Sequence, residues 1–267
     1  MASKAVRFST RELSLRTFSD FEQFFSQVHG CACTLYFFGR HLTPVAQTAK
    51  ERARLLGAPD RSQKHFPHQA LMRERELDAV RELVGQRKAH GILVYDDADP
   101  VGWCHFGRAD EVPVNRDDTT PAKLSARDPS AQWRITCFTT RMDYRRRGVA
   151  GTALAAAVAA IKKRGGGWIE ATPMAFPHDD PMVRKLRRTY GWRSPEVINY
   201  IRDNWPTKEI PGIGRVDGCL TTSRTVGHMG TMSMFEKVGF EVTGIDELRS
   251  SEDARYPGHF VVMRLKV

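Results

Sequence analysis

The feature that most constrains this chain is a continuous stretch from residue 133 to residue 172. Trp133 to Thr140 is rich in β-branched and aromatic residues, which favour a strand. A charged turn follows, and Gly148 to Arg164 is dense in alanine, the strongest helix former. Lys162, Lys163 and Arg164 suit the negative end of a helix dipole, Gly165 to Gly167 stop the helix, and Trp168 to Thr172 reads as a second strand. Strand, helix and strand within about forty residues make a β-α-β unit, normally parallel and right-handed.

The rest of the chain is read around that unit. Residues 1–12 are polar and unpatterned and are expected to be a flexible N-terminus, with residues 13–267 forming one domain. After an extended piece at Leu13 to Thr17, Ser19 is the expected N-cap of a helix carrying Phe21, Phe24, Phe25 and Val28 on one side. Ala46 to Leu56 and His68 to Val84 have helical apolar spacing. Gly91 to Tyr95 and Pro100 to Arg108, separated by aspartates, read as an antiparallel hairpin, and residues 109–131 as a loop. Residues 173–227 form an insertion with one clear helix, capped by Ser194 and opened by Pro195. A last helix from Thr231 to Val238 ends at Gly239, and strands are expected at Phe240 to Thr243 and His259 to Lys266.

The turn before the alanine-rich helix carries the sharpest chemical signal. In Tyr144-Arg145-Arg146-Arg147-Gly148-Val149-Ala150-Gly151, the first N–H groups of the helix have no intrahelical partner. With the helix dipole they form an anion site, and Gly148 and Ala150 allow a phosphate to approach the main chain. The alternative is an arginine-rich turn that only starts a helix. The net charge of +10 favours an anionic partner without choosing which one.

The order of strand, Arg-x-x-Gly-x-Ala turn, helix and strand, followed later by Met234-Phe235-Glu236-Lys237-Val238-Gly239-Phe240, resembles the GNAT superfamily of acyl-CoA-dependent N-acetyltransferases. Val101 to Gly107, Gly230 to Phe235 and Gly30-Cys31-Ala32-Cys33-Thr34 resemble a bacterial branch of that superfamily. The resemblance implies an α/β fold: a mixed, twisted sheet flanked by helices, with a helical insertion between the fifth strand and the last helix. It implies acetyl-CoA as cosubstrate, with Phe138, Thr139 and Thr140 beside pantetheine. Arg145, Arg146, Arg147, Gly148, Val149, Ala150 and Gly151 would surround the phosphates, and His228, Thr231 and Phe235 would complete the cofactor site. The implied reaction is direct transfer of acetyl to a primary amine of a small molecule or peptide. Main-chain N–H groups near Phe138 to Thr140 would stabilise the oxyanion.

Two chemical roles are less well supplied. Phe235 stands where many members of the superfamily have a proton-donating tyrosine, so Tyr144, His228, Tyr256 or water is the candidate acid. Glu170, within a short apolar strand, is the candidate base, against the plainer reading of a salt-bridged carboxylate. Residues 20–70 and the insertion, as an acceptor-side lid, are expected to admit the amine.

Several other classes are weighed. Cys31 and Cys33 near His29 and His41 lack zinc-finger spacing, His65 and His68 lack a glutamate partner, and no metal is expected. Five cysteines with no signal peptide fit reduced thiols and a cytoplasmic protein, and the longest apolar run, Ala153 to Ile161, is too short to span a membrane. A non-catalytic CoA-binding module and a basic nucleic-acid-binding protein stay open as alternatives. No nucleic-acid motif of defined spacing supports the second, although Arg184, Lys185, Arg187 and Arg188 cluster in the insertion, and a homodimer is left open.

Overall fold

The computed structural model describes residues 8–28, 77–112, 130–173, 177, 180–191, 194–216, 218–221, 228–245 and 261–267. Expectations for Ala46 to Leu56, Cys31, Cys33, His29, His41, His65, His68 and Tyr256 fall outside these residues.

Seven strands make the main sheet: β1 (Ser9–Glu12), β2 (His90–Asp96), β3 (Asp99–Arg108), β4 (Ala131–Thr140), β5 (Trp168–Ala171), β8 (Glu241–Ile245) and β9 (Val261–Lys266). Their spatial order is β1-β2-β3-β4-β5-β9-β8. All neighbours are antiparallel except β4 and β5, the parallel pair of the β-α-β unit. A separate hairpin pairs β6 (Lys208–Ile210) with β7 (Gly214–Val216).

The sheet is covered on both faces. On one, α1 (Phe18–Gln27) buries Phe18, Phe21, Phe24 and Phe25, and Phe21 and Phe25 meet the Trp103 ring with centroids 4.9 and 6.0 Å away. Residues 77–85 form α2, whose Val80 and Val84 join this layer. On the other face lies α3 (Val149–Lys163), with seven alanines in fifteen residues. Its Ala153, Leu154, Ala157, Ala160 and Ile161 pack on Ile92, Val94, Cys104 and Ile169. Small side chains let α3 lie close to the sheet. Gly102 allows the closest approach, since a Cβ there would stand 2.2 Å from Val149 Cγ1.

The structure departs from the sequence reading in three places. Ser9 to Glu12 is a strand rather than a frayed end: it pairs with β2, and its polar residues suit an exposed edge. The first helix starts at Phe18 with Thr17 at its N-cap, not Ser19. The insertion holds two helices before its hairpin, α4 (Pro181–Tyr190) and the expected α5 (Pro195–Asn204). Asp180 caps α4 by accepting from the Met182 and Val183 N–H groups, and Pro181 occupies its first turn. The last helix, α6, is Met232–Glu236.

Candidate functional site: a helix N-terminus beside a half-paired strand

β4 is paired along both edges for only part of its length. β5 matches Ala131 to Ile135, whereas β3 continues to Thr140. Past Ile135 the two parallel strands part, and the β5-side edge of β4 faces an opening. The direction of its groups follows from strand alternation: Arg141 N–H donates to Val101 O on the β3 side, so Thr140 N–H points into the opening. Phe138 N–H points the same way and donates to the His228 carbonyl at 2.5 Å.

At the end of β4 the chain makes a 3-10 turn at Met142–Tyr144 and enters α3. Gly148, the N-cap, has φ +90°, a left-handed conformation that favours glycine. No side chain caps this end, and the first helical bond runs from Thr152 N–H to Gly148 O. The N–H groups of Val149, Ala150 and Gly151 therefore precede the intrahelical ladder and carry the positive end of the dipole. A Cβ at Gly148 or Gly151 would meet nothing within 4 Å, so the space over this turn is open.

These groups border one cavity of about 810 Å³. β4 contributes Phe138, Thr139 and Thr140, and the turn contributes Tyr144, Arg145 and Arg146. Gly148, Val149, Ala150 and Gly151 line it from α3, and His228 and Thr231 from the segment before α6. The structure thus brings twelve of the expected residues together. It adds Gln27 and Val28 from the end of α1, Arg141, Met142 and Asp143 from the turn, and Gly230, Ser233, Met234, Lys237 and Val238 near α6. The turn residues were within reach of the sequence motif. Gln27 and Val28 were not, because only the tertiary fold carries α1 to this wall.

Three expected residues do not line the cavity. Arg147 lies over the Tyr144 ring, 5.0 Å from its centroid. Phe235 is wholly buried, edge-on to Phe138 at 5.9 Å and Phe240 at 5.0 Å, so it is a core residue. Glu170, 2% exposed, accepts from Arg264 Nη2 at 2.9 Å and faces Arg134 Nε at 3.6 Å. It sits in register between those arginines across β4, β5 and β9, a cross-strand ion ladder rather than a base facing the cavity.

Tyr144 lines the cavity, but its hydroxyl donates to Asp96 Oδ2 at 2.7 Å, and that bond raises its pKa above the usual phenol value. Arg141 stacks on the same ring at 4.8 Å and clasps Asp143 through Nε and Nη2 at 3.1 and 2.7 Å. This hydrogen bonding lowers the Asp143 pKa and offsets the one carboxylate among the described residues of this wall. Arg141 also pairs with Asp99. The turn is thereby tied to the β2–β3 hairpin. None of the described residues of the insertion lines the cavity, and no group of three metal-ligating side chains occurs among the described residues. No described helix is long and apolar enough to cross a membrane.

No protein-family model matches the chain, and neither does any curated protein. Solved structures do resemble it. A GCN5-related N-acetyltransferase from Ralstonia eutropha is 14% identical, covers 71% of this chain and 94% of its own, and has a TM-score of 0.33. The ribosomal-protein-S5-alanine acetyltransferase from Vibrio fischeri is 10% identical over 100% of this chain and 95% of its own, at TM-score 0.42. The PaiA N-acetyltransferase from Thermoplasma acidophilum, solved in complex with coenzyme A, is 9% identical over 98% and 99%, at TM-score 0.39.

Proposed function

We propose that this chain is a GNAT-type N-acyltransferase that moves an acetyl group from acetyl-CoA to a primary amine. The observation that carries the reading is the uncapped N-terminus of α3, with Gly148 left-handed, opening on a cavity walled by the half-paired edge of β4. A pyrophosphate suits that turn. Three main-chain N–H groups, the helix dipole and Arg145 and Arg146 supply positive charge, and the space over Gly148 and Gly151 is free. An extended pantetheine arm suits the β4 edge, where main-chain groups stand in place of a missing strand.

Acetyl-CoA brings a thioester carbonyl, and aminolysis needs a neutral amine that gives up a proton as the C–N bond forms, hydrogen bonds to the oxygen that gains charge, and a proton for the thiolate that departs as the C–S bond breaks. Thr140 N–H, which strand alternation turns toward the opening, is the proposed donor to that oxygen. Phe138 N–H lies on the same edge and is held by the His228 carbonyl. Tyr144 serves the phosphate turn through Asp96 rather than the thiol. His228, exposed and lining the cavity beside β4, is the proposed proton donor. The proposed acceptor approaches from the wall formed by Gln27 and Val28.

A second reading, CoA binding without transfer, is favoured by Phe235, which has no hydroxyl and no exposure. Thiol release from acetyl-CoA across a panel of primary amines separates the two. Amine-dependent release supports transfer, and tight CoA binding without release on any amine supports the non-catalytic module.

A further inference from the structure

α4 carries a charge pattern that the acyl-transfer site does not use. Its ten residues, Pro-Met-Val-Arg-Lys-Leu-Arg-Arg-Thr-Tyr, include four cations and no acid. Val183 is buried and Leu186 half-buried, which fixes the inner side of the helix. At 100° per residue Arg184, Lys185 and Arg188 fall together on the opposite side, and all three are exposed.

None of these three makes an ion pair among the described residues. They repel one another instead. Arg184 and Arg188 stand four apart and Lys185 and Arg188 three apart, spacings at which like charges destabilise a helix. The dipole offsets part of this only at Arg188, in the last turn. Asp180, the nearest acid in sequence, is engaged by the Met182 and Val183 N–H groups.

We infer that this stripe on α4 is a docking surface for the phosphate backbone of nucleic acid. The stripe joins three cations over about 6 Å of helix axis, close to two phosphate steps of a strand. It holds no aromatic or aliphatic anchor between them, as a peptide interface would need at its centre, whereas backbone binding needs only positive charge. Two of the three are arginines, whose planar fork matches phosphate oxygens. The surface is separate from the cavity, none of whose lining residues comes from α4.

The test is fluorescence anisotropy of a labelled 20-nucleotide single-stranded RNA against the full chain, at 50 to 200 mM salt. Three phosphate contacts on a single strand give a slope of log affinity against log salt near −2, about a 20-fold loss over that range. The variant R184Q/K185Q/R188Q is expected to flatten the slope by about two, and R188Q alone by about 0.7. The control R16Q/K162Q/K163Q removes the same net charge from exposed cations elsewhere and is expected to leave the slope unchanged. Calorimetry with acetyl-CoA on each variant reports the cavity independently, so loss of RNA binding and loss of CoA binding are distinguished. The inference is overturned if the wild type does not bind RNA at 50 mM salt, if the control flattens the slope equally, or if a glutamate-rich peptide binds the stripe as tightly as RNA.

Discussion

The main-chain N–H of Phe138 donates to the carbonyl of His228 at 2.5 Å, closing one position on the otherwise open edge of β4. The segment that makes this bond runs into Gly230, with φ +77°. A Cβ at Gly230 would stand 2.5 Å from Met234 Cε, 3.0 Å from the Phe235 ring and 3.3 Å from the Phe138 ring. The turn is therefore pressed against the strand, and glycine is what allows it.

Gly230→Ala is accordingly expected to displace the turn and weaken the Phe138–His228 bond. The combination of left-handed strain and overpacking predicts a loss of about 1–3 kcal/mol. A thermal melt should show a drop of roughly 2–4 °C per kcal/mol for a chain of this size, and amide exchange at Phe138 should accelerate. An unchanged melting temperature with unchanged exchange would mean that the turn is not held there.

Glu170→Gln tests the ion ladder across β4, β5 and β9. Removing the charge leaves the Arg134 and Arg264 guanidinium groups facing a neutral amide at a buried position. Breaking a buried pair in this way is expected to cost about 3–5 kcal/mol. Denaturant unfolding should register that loss, while acetyl-CoA affinity of the folded variant should change less than threefold. Unchanged stability together with abolished amine-dependent thiol release would instead restore Glu170 as a base.

His105 predicts a pH dependence of stability. Burial pushes its imidazole down to about 3, and His90 is also lowered, first by burial and then by Arg164. In the unfolded chain histidine titrates near ~6.5, so between pH 6.5 and 3 the unfolded state holds the extra proton. Stability is full above pH 6.5 and falls as the solution is acidified, by at most ~1.4 kcal/mol per pH unit for His105. At pH 5 this amounts to about 2 kcal/mol. His105→Asn, which can still bond Thr136, should flatten the melting curve between pH 7 and 5; an equally steep variant would place the titration elsewhere.

The β-α-β unit was legible because each part has its own local chemistry: a β-branched strand, a left-handed glycine at Gly148, an alanine-rich helix and three terminating glycines. The cavity wall on β4 and α3 follows from that unit, so twelve expected residues meet there. What the sequence concealed depends on partners distant along the chain. Ser9 to Glu12 looks unstructured because an edge strand needs no buried alternation. Glu170 looks like a candidate base until Arg264, 94 residues away, comes into register beside it. Phe235 shares its segment with cavity-lining Met234, but its ring turns into the core against Phe138 and Phe240.

The most direct test is calorimetric titration of acetyl-CoA into the wild type, Gly148→Ala and Gly148→Glu. Both substitutions carry the same left-handed backbone strain, about 1 kcal/mol, and a Cβ at this site has open space around it. Only glutamate adds negative charge and bulk over the Val149 to Gly151 N–H groups. Micromolar binding by the wild type, affinity within tenfold for Gly148→Ala and loss of binding for Gly148→Glu are expected. No binding by the wild type, or equal binding by both variants, would contradict a phosphate site at the start of α3.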